Sequence, residues 1–313
     1  MTYEEGILGI PKQFEYQPEI VNNEKIRPFQ KIIILGMGGS RLAGDILNMY
    51  RPDLDIYVHS DYDLPILSLE ALSSALIIAN SYSGNTAEVI SGAKMALEKS
   101  LNLAVVCAGG ELLNLADQKQ IPHVLLPHTD LPPRMMVGHD LMAITKILGL
   151  DANDFKACGA IDANNLKSVG TQTARQIGSA IPLIYTSERL NELGYVWKVI
   201  LNETAKMPAF NNRFPEADHN EIAGFQGDWA SGFHCIFLRD ELSAHIGQRM
   251  DLTANLFREH DILVATVPLE GLSLIQQIIN SIILAHWTAL ELAGTNNVDP
   301  MSVVEIENFK KQL

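Results

Sequence analysis

Cysteine is scarce in this chain. Cys107, Cys158 and Cys235 are the only three in 313 residues, widely spaced and without a Cys-x-x-Cys pair. That pattern excludes a disulfide framework and a cysteine zinc site, and a reducing cytoplasm is the simplest compartment for it. Basic residues are also few: 23 Lys and Arg stand against 37 Asp and Glu, a net charge of −14. A phosphate backbone demands a basic face, so nucleic acid is not an expected partner. A small anion remains compatible, because a few local donors outweigh a distant net charge. Long apolar runs are missing as well. The stretch 274–292 is interrupted by Gln276, Gln277, Asn280, His286 and Glu291, which predicts a buried helix and no membrane span. The first residues have neither the basic nor the apolar region of a signal peptide. Nine histidines are scattered with no metal-ligand spacing, so no metal is expected. No Gly-x-x-x-x-Gly-Lys-Ser/Thr loop is present, which argues against a nucleotide triphosphatase.

What is present is a regular alternation. Short apolar runs predict strands over 32–35, 54–58, 75–79, 103–107 and 123–126. Amphipathic stretches predict helices over 41–50, 87–99, 112–118 and 138–148. Apolar runs thin out around 149–163. The second half repeats the theme, with strands over 181–185, 233–238 and 262–267. Its helices are expected over 166–178, 188–206, 242–257, 273–292 and 303–313. Strands alternating with helices imply right-handed crossovers and mostly parallel sheets. The fold class is α/β, with two domains expected at 1–150 and 151–313.

Two loops in the first half have the composition of ligand sites. The run 75–86 reads Ala-Leu-Ile-Ile-Ala-Asn-Ser-Tyr-Ser-Gly-Asn-Thr: a buried strand that stops in hydroxyls just before a helix. Free N–H groups and the helix dipole favour an anion there, and Ser81, Ser83 and Thr86 add uncharged donors. A single Ser or Thr before a helix is often only an N-cap, and Thr86 fits that role too. Three hydroxyls with Gly84 and Asn85 exceed what a cap requires, so a phosphate or carboxylate is the expected ligand. The second loop, Gly-Met-Gly-Gly-Ser at 36–40, follows the first strand. A dinucleotide motif would need a third glycine where Arg41 stands, so that reading is weak. Gly38 and Gly39 fit a tight turn or close backbone approach to another ligand, with Ser40 as a donor.

Chemistry points to 201–225, which combines Glu203, Lys206, Pro215, Asp218, His219 and Glu221. Glu203 and His219 are the side-chain types most used for proton transfer near neutrality. The plain alternatives are a Glu203–Lys206 pair on an exposed helix and a loop histidine beside a capping Asp218. Arg134 follows Pro132 and Pro133 on a stiffened turn that suits an oxyanion or a developing enediolate; an exposed surface arginine is its plain alternative. Lys310 and Lys311 close the last helix, where basic residues ordinarily complement the dipole.

Taken together, Gly-Met-Gly-Gly-Ser at 36–40, Ser-Tyr-Ser-Gly-Asn-Thr at 81–86, Pro-Pro-Arg at 132–134, Asn-Glu at 202–203 and Pro-Glu-Ala-Asp-His-Asn-Glu at 215–221 define a pattern. It resembles the bifunctional phosphoglucose/phosphomannose isomerases of the sugar isomerase (SIS) domain superfamily, over nearly the whole chain. The resemblance implies two SIS domains in a homodimer and no cofactor. It implies interconversion of fructose 6-phosphate with glucose 6-phosphate and mannose 6-phosphate. Ser40, Ser81, Ser83 and Thr86 would ring the phosphate, with Gly38 and Gly39 in the substrate loop. Arg134 would stabilise a cis-enediolate, and Glu203 would move the proton between C1 and C2. His219 would reach in from the other subunit to help open the sugar ring, and Lys310, or Lys311 beside it, would act at the ring oxygen. After Pro-Pro-Arg the family shows small residues and then Gly-Tyr; here Met135, Met136, Val137, Gly138 and His139 follow. That departure bears on substrate preference and leaves an isomerase for another phosphosugar open. A non-catalytic sugar-phosphate-binding protein is the other alternative.

Overall fold

Nine strands, among the described residues, pair in parallel and divide into two sheets. The computed structural model describes residues 1–225, 227–310 and 312. In chain order the first half runs α1 (Tyr3–Gly9), β1 (Lys31–Leu35), α2 (Leu42–Tyr50), β2 (Ile56–His59), α3 (Leu69–Ser73), β3 (Ala75–Asn80), α4 (Ala87–Glu98), β4 (Asn102–Cys107), α5 (Gly110–Lys119), β5 (His123–Leu125), α6 (Val137–Ile147) and α7 (Asn153–Lys156). The second half runs α8 (Lys167–Ile177), β6 (Ile181–Ser187), α9 (Asn191–Ile200), β7 (Phe210–Phe214), β8 (Phe233–Arg239), α10 (Ala244–Glu259), β9 (Leu263–Pro268), α11 (Leu274–Thr295) and α12 (Val304–Lys310). One compact unit comprises Gly9–Ile161; the other comprises Asp162–Leu313 together with Met1–Leu8.

In the N-terminal unit the strand order is β2-β1-β3-β4-β5. β3 and β4 are buried at every position, as expected of middle strands covered on both faces. One face carries Ile33, Ile77 and Val105 against α4 and α5. The alternate face carries Ile34, against which Gly44 of α2 sits so closely that a Cβ would lie 3.1 Å from its side chain. The chain leaves β1 towards β2 and then returns to place β3 on β1's other side. Such a reversal opens a crevice beyond the carboxyl ends of the two strands, where ligands bind in doubly wound sheets.

The C-terminal unit has strand order β7-β6-β8-β9. Its core gathers Tyr185, Phe214, Phe237 and Phe257, with Tyr185 and Phe237 edge to face at 5.3 Å. Trp197 of α9 is buried and donates to Ser281 Oγ of α11 at 2.9 Å. α1 belongs to this unit: the Tyr3 hydroxyl lies 2.7 Å from both Thr204 Oγ1 and His286 Nδ1. Among the described residues, no helix is long and apolar enough to cross a membrane.

Two expectations are corrected here. The helix expected over 188–206 is three pieces: a 3-10 turn (Glu188–Leu190), α9, and a π-helical turn (Leu201–Ala205). It ends at Lys206, whose φ of 54° is left-handed. The stretch before Pro215, outside the strands expected at 181–185, 233–238 and 262–267, contains strand β7, which pairs with β6 from Leu183↔Phe210 to Ser187↔Phe214. Its sequence, Phe-Asn-Asn-Arg-Phe, lacks the apolar run of a central strand because it lies at the sheet edge, where only Phe214 is fully buried.

Candidate active site

Three loops meet at the β1/β3 crevice. The glycine loop turns through a 3-10 segment (Gly38–Arg41) into α2. Ser40 Oγ in it accepts from Tyr82 N at 2.9 Å, and the Ser40 carbonyl accepts from Asn80 Nδ2 at 2.7 Å. Gly39 is pressed against the Pro-Pro-Arg turn: a Cβ there would sit 2.4 Å from Arg134 N. No side chain fits, so glycine is required for this approach. Arg134 is completely buried, which overturns the surface alternative for it.

The hydroxyl loop is built to the same tightness. Gly84 has φ +67°, and a Cβ there would meet Gly109 O at 1.8 Å. Thr86 occupies the N-cap position of α4 but makes no side-chain capping bond. Its Oγ1 lies 2.8 Å from Ser81 Oγ, so the two hydroxyls point at each other across the loop. Capping therefore does not account for Thr86. Ser81 is buried, Thr86 half-buried and Ser83 exposed, with Ser83 Oγ accepting from Asn85 N at 3.2 Å. The N-terminal unit thus brings Ser40, Gly38, Gly39, Ser81, Ser83, Thr86 and Arg134 together on three adjoining loops.

Met135 and Met136 are fully buried in this unit, not on its surface. His139 packs its ring edge-on to Tyr16 at 5.3 Å, and burial pushes its imidazole down to about 4.

Glu203, His219 and Lys310 belong to the other unit. Glu203 is half-buried on the π turn, a widened helical geometry that recurs at functional sites. The turn's polar groups are caught individually. Asn202 Oδ1 accepts from Ala209 N at 2.9 Å, and Ala205 O accepts from Asn296 Nδ2 at 2.9 Å. Lys206 Nζ donates to the carbonyls of Glu203 and Ser302. Glu203 lines a cavity of about 480 Å³ with Asn202, Pro208, Phe210, Val303 and Ile306.

His219 is exposed at the end of a 3-10 turn (Glu216–His219). Among the described residues Asp218 makes no capping bond, contrary to the plain alternative: its carboxylate accepts from Arg249 Nη1 at 2.9 Å and Thr253 Oγ1 at 2.8 Å, which fixes the turn to α10. On its other side Glu221 accepts from the Tyr185 hydroxyl at 2.5 Å and from Asn212 Nδ2. Lys310 is exposed on the last turn of α12, the helix whose Ile306 reaches the Glu203 cavity. Lys311 lies outside the described residues. Among the described residues, no cluster of three His, Cys, Asp or Glu is placed to hold a metal.

Sequence reasoning passed over Asn80 and Asp140, both completely buried polar residues of the N-terminal unit. The available signal was a polar residue at each of two apolar places, the end of β3 and the inner face of α6.

Comparison with known proteins adds the following. Residues 166–313 match the family described as bacterial phospho-glucose isomerase C-terminal SIS domain. The chain is 31% identical to a bifunctional phosphoglucose/phosphomannose isomerase from Thermoplasma acidophilum, covering 91% of this chain and 90% of that one. It is 28% identical to its counterpart from Thermoplasma volcanium over the full length of both. In structure it is similar to a hypothetical protein from Thermus thermophilus, with a TM-score of 0.77 and 16% identity over 99% of this chain and 90% of that one.

Proposed function

The chain belongs to the bifunctional phosphoglucose/phosphomannose isomerases and is a sugar phosphate isomerase, and from that premise we propose how its residues divide the work. Its substrates are fructose 6-phosphate, glucose 6-phosphate and mannose 6-phosphate, the last two being C2 epimers that share one enediolate. The phosphate is held by Ser40, Ser81, Ser83 and Thr86, with the backbone of Gly38 and Gly39 approaching closely. This assigns anchoring to the domain at 1–150 and proton transfer to the domain at 151–313. The observation that carries the reading is the loop junction at the β1/β3 crevice, where Ser81 and Thr86 turn their hydroxyls to each other and not to the helix end. A non-reacting phosphate fixed there lets remote binding energy orient the reacting carbons.

The chemistry follows from few parts. The Glu203 carboxylate takes the C2 proton of the open-chain aldose, and the C–H electrons form the C1=C2 bond as the charge passes to O1. Arg134 stabilises that oxygen. Glu203 then returns the proton to C1, while the O2 proton passes to O1 and C2 becomes the ketose carbonyl. Return to either face of C2 in the reverse direction yields glucose or mannose 6-phosphate. Support for Glu203 comes from its place on a π turn lining a sugar-sized cavity. His219, exposed on its own unit, acts in the neighbouring subunit of a homodimer to help open the ring, with Lys310 at the ring oxygen. The enzyme serves glycolysis and gluconeogenesis in the cytoplasm.

The test is isomerisation of fructose 6-phosphate in heavy water. The expected outcome is both glucose 6-phosphate and mannose 6-phosphate, each carrying deuterium at C2 to the extent that the protonated Glu203 exchanges with solvent before it returns the proton. No turnover, with sugar phosphate still bound, would make the chain a binding protein; a single epimer, or turnover only of another phosphosugar, would overturn the substrate assignment.

A further inference from the structure

Asp140 of α6 has no exposure, and neither of its carboxyl oxygens has a hydrogen-bond partner among the described residues. Beside it lies the Asn80 side chain, at the end of β3 and also without exposure. The Asn80 amide orientation is set by chemistry: Nδ2 faces the Ser40 carbonyl at 2.7 Å, and the reversed amide would put two acceptors against each other. Asn80 Oδ1 is therefore left as a second buried acceptor with no donor. Three orphan acceptor atoms around one carboxyl are costly as long as the carboxyl is ionised. A proton on the carboxyl removes the charge and turns one of its oxygens into a donor for Asn80 Oδ1, which leaves a single neutral carbonyl oxygen in place of three orphan acceptors. Complete burial pushes this carboxyl well above the usual carboxylate range and outweighs the Asn80 amide, which would favour the charged form by donating to it.

We propose that Asp140 is a positioning residue for the phosphate cradle: as the neutral acid it donates to Asn80 Oδ1. The link runs from Asp140 to Asn80, from Asn80 Nδ2 to the Ser40 carbonyl, and from Tyr82 N to Ser40 Oγ. It clamps the glycine loop to the start of the hydroxyl loop. Asp140 touches neither phosphate nor sugar; its effect passes entirely through Asn80 and the backbone of Ser40. The inference rests on the reading of these loops as the phosphate site.

The probe is inorganic phosphate, measured as a competitive inhibitor, beside the kinetics of fructose 6-phosphate. D140A should weaken phosphate and raise KM together by about tenfold, with a much smaller change in kcat, as loss of ground-state anchoring predicts. D140N keeps a donor and should restore most of that affinity. The infrared difference between wild type and D140N at pH 7 should show the C=O band of a protonated carboxyl lost in the variant. Carboxylate bands in that difference would overturn the proposal even if D140A fails to fold. So would D140A with unchanged phosphate affinity while S81A weakens it. If S81A leaves phosphate binding unchanged, the cradle reading itself fails.

Discussion

Thr86 stands where a cap is expected and spends its hydroxyl elsewhere, opposite Ser81. A helix N-terminus left to its backbone donors, with two hydroxyls converging in front of it, has spare capacity for an anion. The gathering of hydroxyls at a helix start is legible in the composition of 81–86. Arg134 was legible as a stiffened arginine, though its complete burial depends on folding that no local pattern expresses. Asn80 and Asp140 were not legible, because a lone polar residue in an apolar run looks the same whether it is exposed or enclosed. His139 allows a prediction at this scale. Burial lowers its folded-state value to about 4, below the 6.5 or so of an unfolded histidine. Between those values the unfolded chain binds more protons, so stability is lost as pH falls from about 6.5 to 4. H139F removes this acid-side loss, which amounts to at most about 3 kcal/mol across the window. Thermal melts of the two proteins should be closest in shift at neutral pH, with H139F gaining on the wild type as acid is added.

At the scale of elements, the alternation of strand and helix is visible because strands covered on both faces read as unbroken apolar runs. β7 escapes that signal since an edge strand can be polar, as Asn211, Asn212 and Arg213 show. The π turn escapes it for another reason. Its apolar spacing continues that of α9, and what widens the turn is a set of partners far away in sequence: Asn296 on Ala205 O, and Tyr3 on Thr204. The tight hydroxyl loop gives the second prediction. G84A must accept a left-handed φ and a contact of 1.8 Å with Gly109 O. Strain and overpacking together should cost on the order of 3 kcal/mol, and whatever folds should bind phosphate weakly. Chemical denaturation and phosphate inhibition of the same preparation check both halves; wild-type values in each would mean that the loop is not rigid.

For the whole molecule, the residues assigned to chemistry are spread over two compact units, the cradle and Arg134 in one, Glu203, His219 and Lys310 in the other. Composition and alternation indicate two α/β halves; that α1 packs with the second half was hidden, because Tyr3 meets Thr204 and His286 only after folding. The exposed His219 turn is fixed to α10 through Asp218 and to β6 through Glu221. The proposed action of His219 in the neighbouring subunit has a quantitative consequence. E203Q and H219A homodimers should each be inactive or nearly so. In a fully exchanged equal mixture half the dimers are mixed, and each of those has one intact site, so activity should rise to about a quarter of wild type. A mixture no more active than its components would place His219 in the site of its own chain.

The central claim is that one carboxylate, Glu203, moves the proton. Steady-state turnover of E203Q, with its fructose 6-phosphate affinity measured in parallel, tests it most directly. Removal of the base should lower kcat by about a thousandfold or more while binding stays within a few-fold of wild type. Turnover near the wild-type rate in that variant would contradict the account.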